Sequence, residues 1–126
     1  MKVLVVEPGK RPEEREIQGD LTEIQELVGG YIQAVYPFED EVALVCNEEG
    51  KLQGLPLNRA LRDKDGEIYD AISGTFFLCA APPDSDNFQS LTDEQLDKYK
   101  TLFLIPEIFL NLGGKILCIP VEEPSH

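Results

Sequence analysis

This chain has 126 residues, of which 24 are Asp or Glu and 11 are Lys or Arg, so its formal net charge is −13 at pH 7. A field of that sign repels polyanions, and we therefore expect no direct binding to nucleic acid. The length suits one domain with a real core, and 42% of the residues are apolar. The same charge would steer the protein towards a partner with a basic surface, although it also keeps small proteins in solution.

The first half of the chain predicts an alternation of strands with one helix. A wholly apolar run at 3–6 predicts a strand buried on both faces, and the charged stretch 10–16 predicts an exposed connection with a short edge strand. Asp20 precedes an apolar stripe at helical spacing, which Gly29 and Gly30 end, so a helix is expected between them. Further strands are expected at 31–35 and 42–46.

The second half contains a second helix and several turn signals. Thr92 and Gln95 form a capping-box pair before the apolar residues of that helix. The other predicted elements are, in chain order, a short helix at 57–62, a tight turn at Asp65 and Gly66, a Phe-rich strand at 74–81, a Pro-rich loop at 82–87, a helical turn at 106–112 and a last strand at 115–121.

This order of elements predicts an α+β domain over 1–121, followed by a short polar C-terminal tail at 122–126. We expect one mixed or mainly antiparallel sheet with the two main helices on one side. Alternation of strands and helices is too irregular for a doubly wound parallel sheet.

The chain offers no arrangement that predicts catalysis. Its single histidine, His126, is the last residue, so acid–base or nucleophilic catalysis by histidine is not expected. Cys46, Cys79 and Cys118 each lie in an apolar strand-like run and are expected to be reduced core thiols in a cytoplasmic protein.

No metal site, cofactor or membrane-spanning segment is expected either. Asp63 to Ile68 resembles the middle of a calcium-binding loop, but Leu61 and Ile72 would occupy its first and last ligand positions. A hairpin-like turn with solvated carboxylates is therefore expected there. No stretch approaches the ~20 apolar residues that span a bilayer.

The most specific candidate site lies in segment 54–75, where cations and turn residues interrupt the acidic chain. Arg59 and Arg62 would share one face of the predicted short helix, with Asn58 beside them, and could hold a carboxylate or phosphate. Thr75 would add a polar contact, and Gly54 and Gly74 would permit close approach of the backbone. The simpler alternative is that these cations neutralise nearby carboxylates.

Four stretches carry a resemblance to a known family: Leu-Val-Gly-Gly-Tyr-Ile-Gln-Ala-Val at 27–35, Gly-Leu-Pro-Leu-Asn-Arg-Ala-Leu-Arg at 54–62, Ile-Ser-Gly-Thr-Phe-Phe at 72–77 and Leu-Thr-Asp-Glu-Gln at 91–95. They resemble an uncharacterised family of short acidic proteins from Gram-positive bacteria, their phages and mobile elements. The resemblance implies no reaction, cofactor or catalytic residue. It implies a setting among the accessory cargo of mobile elements.

Three function hypotheses follow. The first is a non-enzymatic cytosolic binding or accessory protein that acts through its acidic surface on a protein with a basic surface, one version being a DNA-mimic inhibitor. The second is a small-ligand binder that holds an anionic molecule at 54–75. The third is an enzyme of unknown class.

Overall fold

The structure is a computed structural model, and it describes residues 1–121. The predicted tail at 122–126 lies outside the described residues. In chain order the elements are β1 Lys2–Val6, β2 Glu13–Glu16, α1 Leu21–Val28, β3 Ile32–Val35, β4 Val42–Asn47, β5 Leu57–Arg62, β6 Ile68–Ser73, β7 Phe76–Ala80, α2 Asp93–Leu102, β8 Glu107–Leu112 and β9 Lys115–Pro120.

Five strands form the central sheet in the order β2-β1-β7-β4-β3, and neighbouring strands in it run antiparallel. Leu78 of β7 lies opposite Leu4 of β1 on one side and Leu44 of β4 on the other. The prediction of an α+β fold with a mainly antiparallel sheet is confirmed, although the chain is richer in strands than expected.

The three middle strands are buried on both faces, because successive side chains of a strand point to opposite sides. One hydrophobic cluster contains Leu4, Leu44 and Leu78. A second cluster contains Val5, Val45 and their neighbours from the alternate positions. The sheet therefore separates two cores instead of covering one.

Each core is closed by a different helix. Ile24 and Val28 of α1 belong to the cluster with Val5, whereas Leu96 and Tyr99 of α2 belong to the cluster with Leu4. The two helices thus pack on opposite faces of the sheet, and the prediction that both lie on one side is wrong. The apolar stripes that the sequence shows fix which side of a helix is buried, but not the face of the sheet it covers.

Both helices begin where the sequence places them. The Asp20 side chain accepts a hydrogen bond from the backbone N–H of Glu23 at 2.9 Å, and Gly29 ends α1 in the left-handed conformation. Thr92 and Gln95 form the reciprocal capping box that opens α2. These contacts are local, which is why they could be predicted.

Two hairpins lie outside the central sheet, and both correct the sequence analysis. Residues 57–62 form strand β5, which pairs with β6, and not the predicted short helix. Residues 107–112 form strand β8, which pairs with β9, and not a helical turn. Gly113 and Gly114 have positive φ values of 63° and 91° and form the two-residue turn between β8 and β9, a conformation that favours glycine.

We predict that Thr92→Ala lowers the free energy of unfolding by about 1 kcal/mol, because the backbone N–H of Gln95 loses its partner. Urea unfolding followed by circular dichroism measures the change. Thr101→Ala is the matched control, since that hydroxyl bonds only the Asp97 carbonyl inside the helix, and its effect should stay within ~0.5 kcal/mol. Equal losses for the two variants would contradict the role of the cap.

Candidate functional site

A cleft of about 550 Å³ lies between the two hairpins. One wall comes from β6, from the beginning of β5 and from the connection that precedes it, and the other wall comes from β8 and β9. The lining residues are Lys51, Leu55, Leu57, Ile68, Tyr69, Asp70, Ala71, Ser73, Phe109, Ile116 and Cys118.

The cleft combines an apolar interior with one ion pair. Leu57, Phe109 and Ile116 are typical of the aliphatic and aromatic side chains that line it. Lys51 Nζ lies 2.6 Å from Asp70 Oδ1, and both side chains are exposed. Asp70 also accepts a hydrogen bond from the backbone N–H of Ala71 at 2.8 Å. Burial pushes the pKa of Asp70 upwards, but these two partners hold it below its usual value.

Glu107 joins the two hairpins at the cleft. Its side chain is only 7% exposed, and it accepts hydrogen bonds from Arg62 Nη2 at 2.8 Å and from the backbone N–H of Ala60 at 3.1 Å. The Cys118 thiol donates to the same carboxylate. Burial raises the pKa of Glu107, but Arg62, Cys118 and Ala60 together bring it below its usual value.

The thiols differ in exposure. Cys46 and Cys79 are buried as predicted, whereas Cys118 is half-buried and lines the cleft, so its assignment to the core is corrected. Burial raises the pKa of Cys79 to about 12. Burial and the neighbouring Glu107 raise the pKa of Cys118 to about 11. A thiol in that state is protonated at neutral pH and is a weak nucleophile.

The structure does not bring the four predicted site residues together at an open surface. Arg59 is 1% exposed, and its guanidinium donates to the carbonyl oxygens of Phe103 at 3.0 Å and Lys10 at 2.6 Å. Burial lowers the pKa of Arg59, and the charge of Glu107 opposes this shift. Its hydrogen-bonding capacity is used inside the protein.

Asn58 is also part of the core. It donates to the carbonyl oxygens of Val6 at 2.8 Å and Gly74 at 2.9 Å, and it accepts from Arg59 Nη1 at 2.9 Å. Gly74 is needed for packing, because a Cβ atom there would lie 2.8 Å from Leu55 Cδ1. Thr75 is half-buried and does not line the cleft.

Arg62 is the exposed member of the predicted pair, and it is engaged by Glu107. The alternative that the cations neutralise nearby carboxylates therefore describes Arg62. Arg59 fits neither this alternative nor the predicted open site, because it donates to carbonyl oxygens inside the protein. Segment 54–75 nevertheless supplies seven of the eleven lining residues of the cleft, Leu55, Leu57, Ile68, Tyr69, Asp70, Ala71 and Ser73. The four predicted residues are not among them, so the cleft and the predicted site share a segment of the chain but no residue.

The acidic turn at 63–67 is the predicted hairpin turn. Asp63 Oδ1 accepts hydrogen bonds from the backbone N–H groups of Asp65 and Glu67, which uses that oxygen locally. Within residues 1–121, no group of three or more His, Cys, Asp or Glu side chains is arranged to hold a metal ion. In the same residues, neither helix is long and apolar enough to cross a membrane.

Residues 1–104 match a family described as a domain of unknown function, DUF3846. The chain belongs to this family. The resemblance to an uncharacterised family is thereby confirmed, but the match ends before β8, so the second wall of the cleft lies outside the part that defines DUF3846. No curated protein and no solved structure matches the chain.

We predict that Arg59→Met lowers the free energy of unfolding by roughly 3 kcal/mol or more, because it leaves buried carbonyl oxygens without donors. Arg62→Met is the control at an exposed position of the same strand, and its cost should be about 1–2 kcal/mol at neutral pH, because buried Glu107 keeps the Ala60 N–H and the Cys118 thiol as donors. Chemical denaturation of both variants measures the difference. Equal costs would mean that the Arg59 network is not a main source of stability.

The cost of Arg62→Met should depend on pH in a defined direction. The folded pKa of Glu107 lies below its unfolded value, which is ~4.3. Stability from the Arg62–Glu107 pair is therefore present above that value and is lost as pH falls through the folded pKa. Unfolding curves between neutral and acidic pH should show wild type and variant converging. A difference that grows on acidification would contradict this assignment.

Proposed function

We propose that this member of DUF3846 is a non-enzymatic cytoplasmic binding protein whose site is the cleft between the two hairpins. The observation that carries the proposal is a volume of about 550 Å³ lined mainly by apolar side chains, with one ion pair. Sites for small molecules typically have volumes of ~300–1,000 Å³ and combine an apolar lining with a few polar groups.

The lining supports a ligand with an apolar body and one anionic group. Leu57, Phe109 and Ile116 offer contacts to the body. Lys51 has three N–H donors, so its ammonium can hold a ligand carboxylate while it keeps Asp70. Asp70 also retains the Ala71 N–H if Lys51 turns towards the ligand. A small anionic ligand at segment 54–75 was the second hypothesis of the sequence analysis, and the proposal moves its anchor from Arg59 and Arg62 to Lys51.

The reactive groups near the cleft favour binding over catalysis. Cys118 is the thiol that lines the cleft, and its raised pKa of about 11 keeps it protonated at neutral pH. Glu107 is held as a carboxylate by Arg62 and Ala60, so it is a poor proton donor at neutral pH. The resemblance implies a setting among phages and mobile elements of Gram-positive bacteria. We include that setting in the proposal, because the match to DUF3846 gives no function or source.

Decanoate is a suitable probe, and Cys118 reports on its position. We expect decanoate to slow alkylation of Cys118 while the buried Cys46 and Cys79 react slowly in its presence and absence. Decanol, with the same chain but no charge, should bind about tenfold more weakly, the difference expected for one charge-assisted contact. Lys51→Gln should remove that difference. Mass spectrometry of the labelled protein measures each rate.

Two matched variants test whether the cleft is the site. Ile116→Glu places a carboxylate in the lining and should abolish protection by decanoate. Leu21→Glu makes the same kind of change on α1, at a side chain that is 59% exposed, compared with 61% for Ile116. Decanoate should protect Cys118 in this variant as it does in wild type. Unchanged labelling of Cys118 at saturating decanoate would overturn the proposed ligand class.

Contact with a basic protein through the acidic surface is the second candidate. Glu39 and Glu41 are exposed at one end of β4, and Glu48 and Glu49 are exposed at its other end. A six-residue strand places these acidic clusters on the order of 20 Å apart. A partner with basic groups at that separation, including a protein that normally binds DNA, would contact both clusters.

For this second candidate we expect binding to a basic polypeptide probe, polylysine, that weakens steeply as salt rises. Replacing the four clustered carboxylates with Gln should reduce affinity more than replacing Glu13, Glu14, Glu16 and Glu26, which carry the same charge elsewhere. Fluorescence titration at several salt concentrations measures both. Equal losses would mean that only net charge matters and that the clusters form no site.

A further inference from the structure

The hairpin β8–β9 has an inner and an outer face. Glu107, Phe109 and Cys118 point towards β5 and β6, where they bond Arg62 or line the cleft. Alternation along each strand places the intervening side chains on the opposite side. This outer face consists of Ile108, Leu110, Leu112, Leu117 and Ile119, with Lys115 opposite Leu112 at its edge.

The outer face is open to solvent and is aliphatic except for Lys115 at the end next to the turn. Its five aliphatic side chains are between 42% and 60% exposed. Ile108 lies directly opposite Ile119, and Leu110 lies opposite Leu117, so the exposed side chains form a continuous surface across both strands. This surface amounts to roughly 400 Å², the size of patch that marks an interaction site on a small protein.

Charge separates this face from the rest of the molecule. Glu107 and Lys115 are the charged residues of β8 and β9. Glu107 is turned inwards to Arg62, whereas Lys115 lies on the outer face opposite Leu112. The outer face therefore presents no carboxylate in a chain whose net charge is −13. A basic partner is attracted to the acidic regions and finds no complement on this face.

We propose that the outer face is the contact between two copies of this chain. A second copy presents the same flat aliphatic surface, and two such faces can stack about a two-fold axis with Leu110 and Leu117 at the centre. The face carries no carboxylate, so two copies can meet there without placing acidic side chains in the contact. Its area of roughly 400 Å² is below the ~800 Å² per partner of a standard interface, so we expect a weak dimer that forms as concentration rises.

Salt should therefore strengthen the association, because it screens the repulsion between two acidic bodies and leaves the aliphatic contact intact. This is opposite to the salt dependence of a basic partner. Sedimentation and light scattering of the full chain over a concentration series, at low and high salt, should show a shift from 14.1 kDa to twice that mass. A chain that stays monomeric at every concentration and salt level would overturn the proposal.

The variant L110E/L117K tests the face itself. The new charges lie directly opposite each other in the hairpin, so they can pair and preserve it, while they disrupt the aliphatic contact. We expect dimerisation about 100-fold weaker. L21E/L52K makes the same charge changes at exposed aliphatic residues elsewhere and should dimerise as wild type does.

Leu112→Glu provides an independent check if circular dichroism shows that the double variant is unfolded. Its side chain is 60% exposed at the tip of the outer face and lies opposite Lys115, so the new carboxylate can pair within the hairpin while it adds charge to the contact. The dimer should weaken about tenfold. Dimerisation of a folded L110E/L117K or Leu112→Glu variant with wild-type affinity would overturn the assignment of this face. Alkylation of Cys118 measures decanoate binding independently of dimerisation, because Cys118 lies on the inner face of the hairpin and lines the cleft.

Discussion

The buried guanidinium of Arg59 is the interaction on which the arrangement around the sheet depends. It reaches the end of α2 through the Phe103 carbonyl and the β1–β2 connection through Lys10, while Asn58 beside it bonds Val6 and Gly74. A positive charge at the C-terminal end of a helix also complements the helix dipole. Burying an ion among carbonyl oxygens is costly unless its donors are satisfied. That condition is met, since every buried side-chain nitrogen and oxygen within residues 1–121 has a partner.

The central sheet and both helices could be predicted because their signals are local. Capping by Asp20 and Thr92 involves residues three positions apart. Residues 57–62 were predicted to form a short helix, and pairing with β6 outweighs that local interpretation. The β8–β9 hairpin did carry a readable signal in Gly113 and Gly114, the residues of a two-residue turn. The prediction of a helical turn at 106–112 left this turn signal unused.

The site was less predictable than the fold, since its parts come from distant segments. A charged residue in a polar stretch is normally exposed, and Arg59 is buried because distant carbonyl oxygens, those of Phe103 and Lys10, accept from it. The cleft likewise needs Phe109 and Ile116 to face β6. No pattern within 54–75 indicates that wall. Sequence reasoning therefore could not show which side chains of 54–75 face a partner element.

The attachment of the β8–β9 hairpin gives the molecule two levels of stability. Outside its own hairpin, β8 mainly contacts β5, and Glu107 is the polar link between them. Elements with few tertiary contacts open locally at a lower free energy than the global unfolding of a domain. The hairpin can thus detach and return while the sheet, α1 and α2 remain folded. The lifetime of the cleft is then set by this local opening, and a substitution that strengthens the core between β1, β4 and β7 leaves that lifetime unchanged.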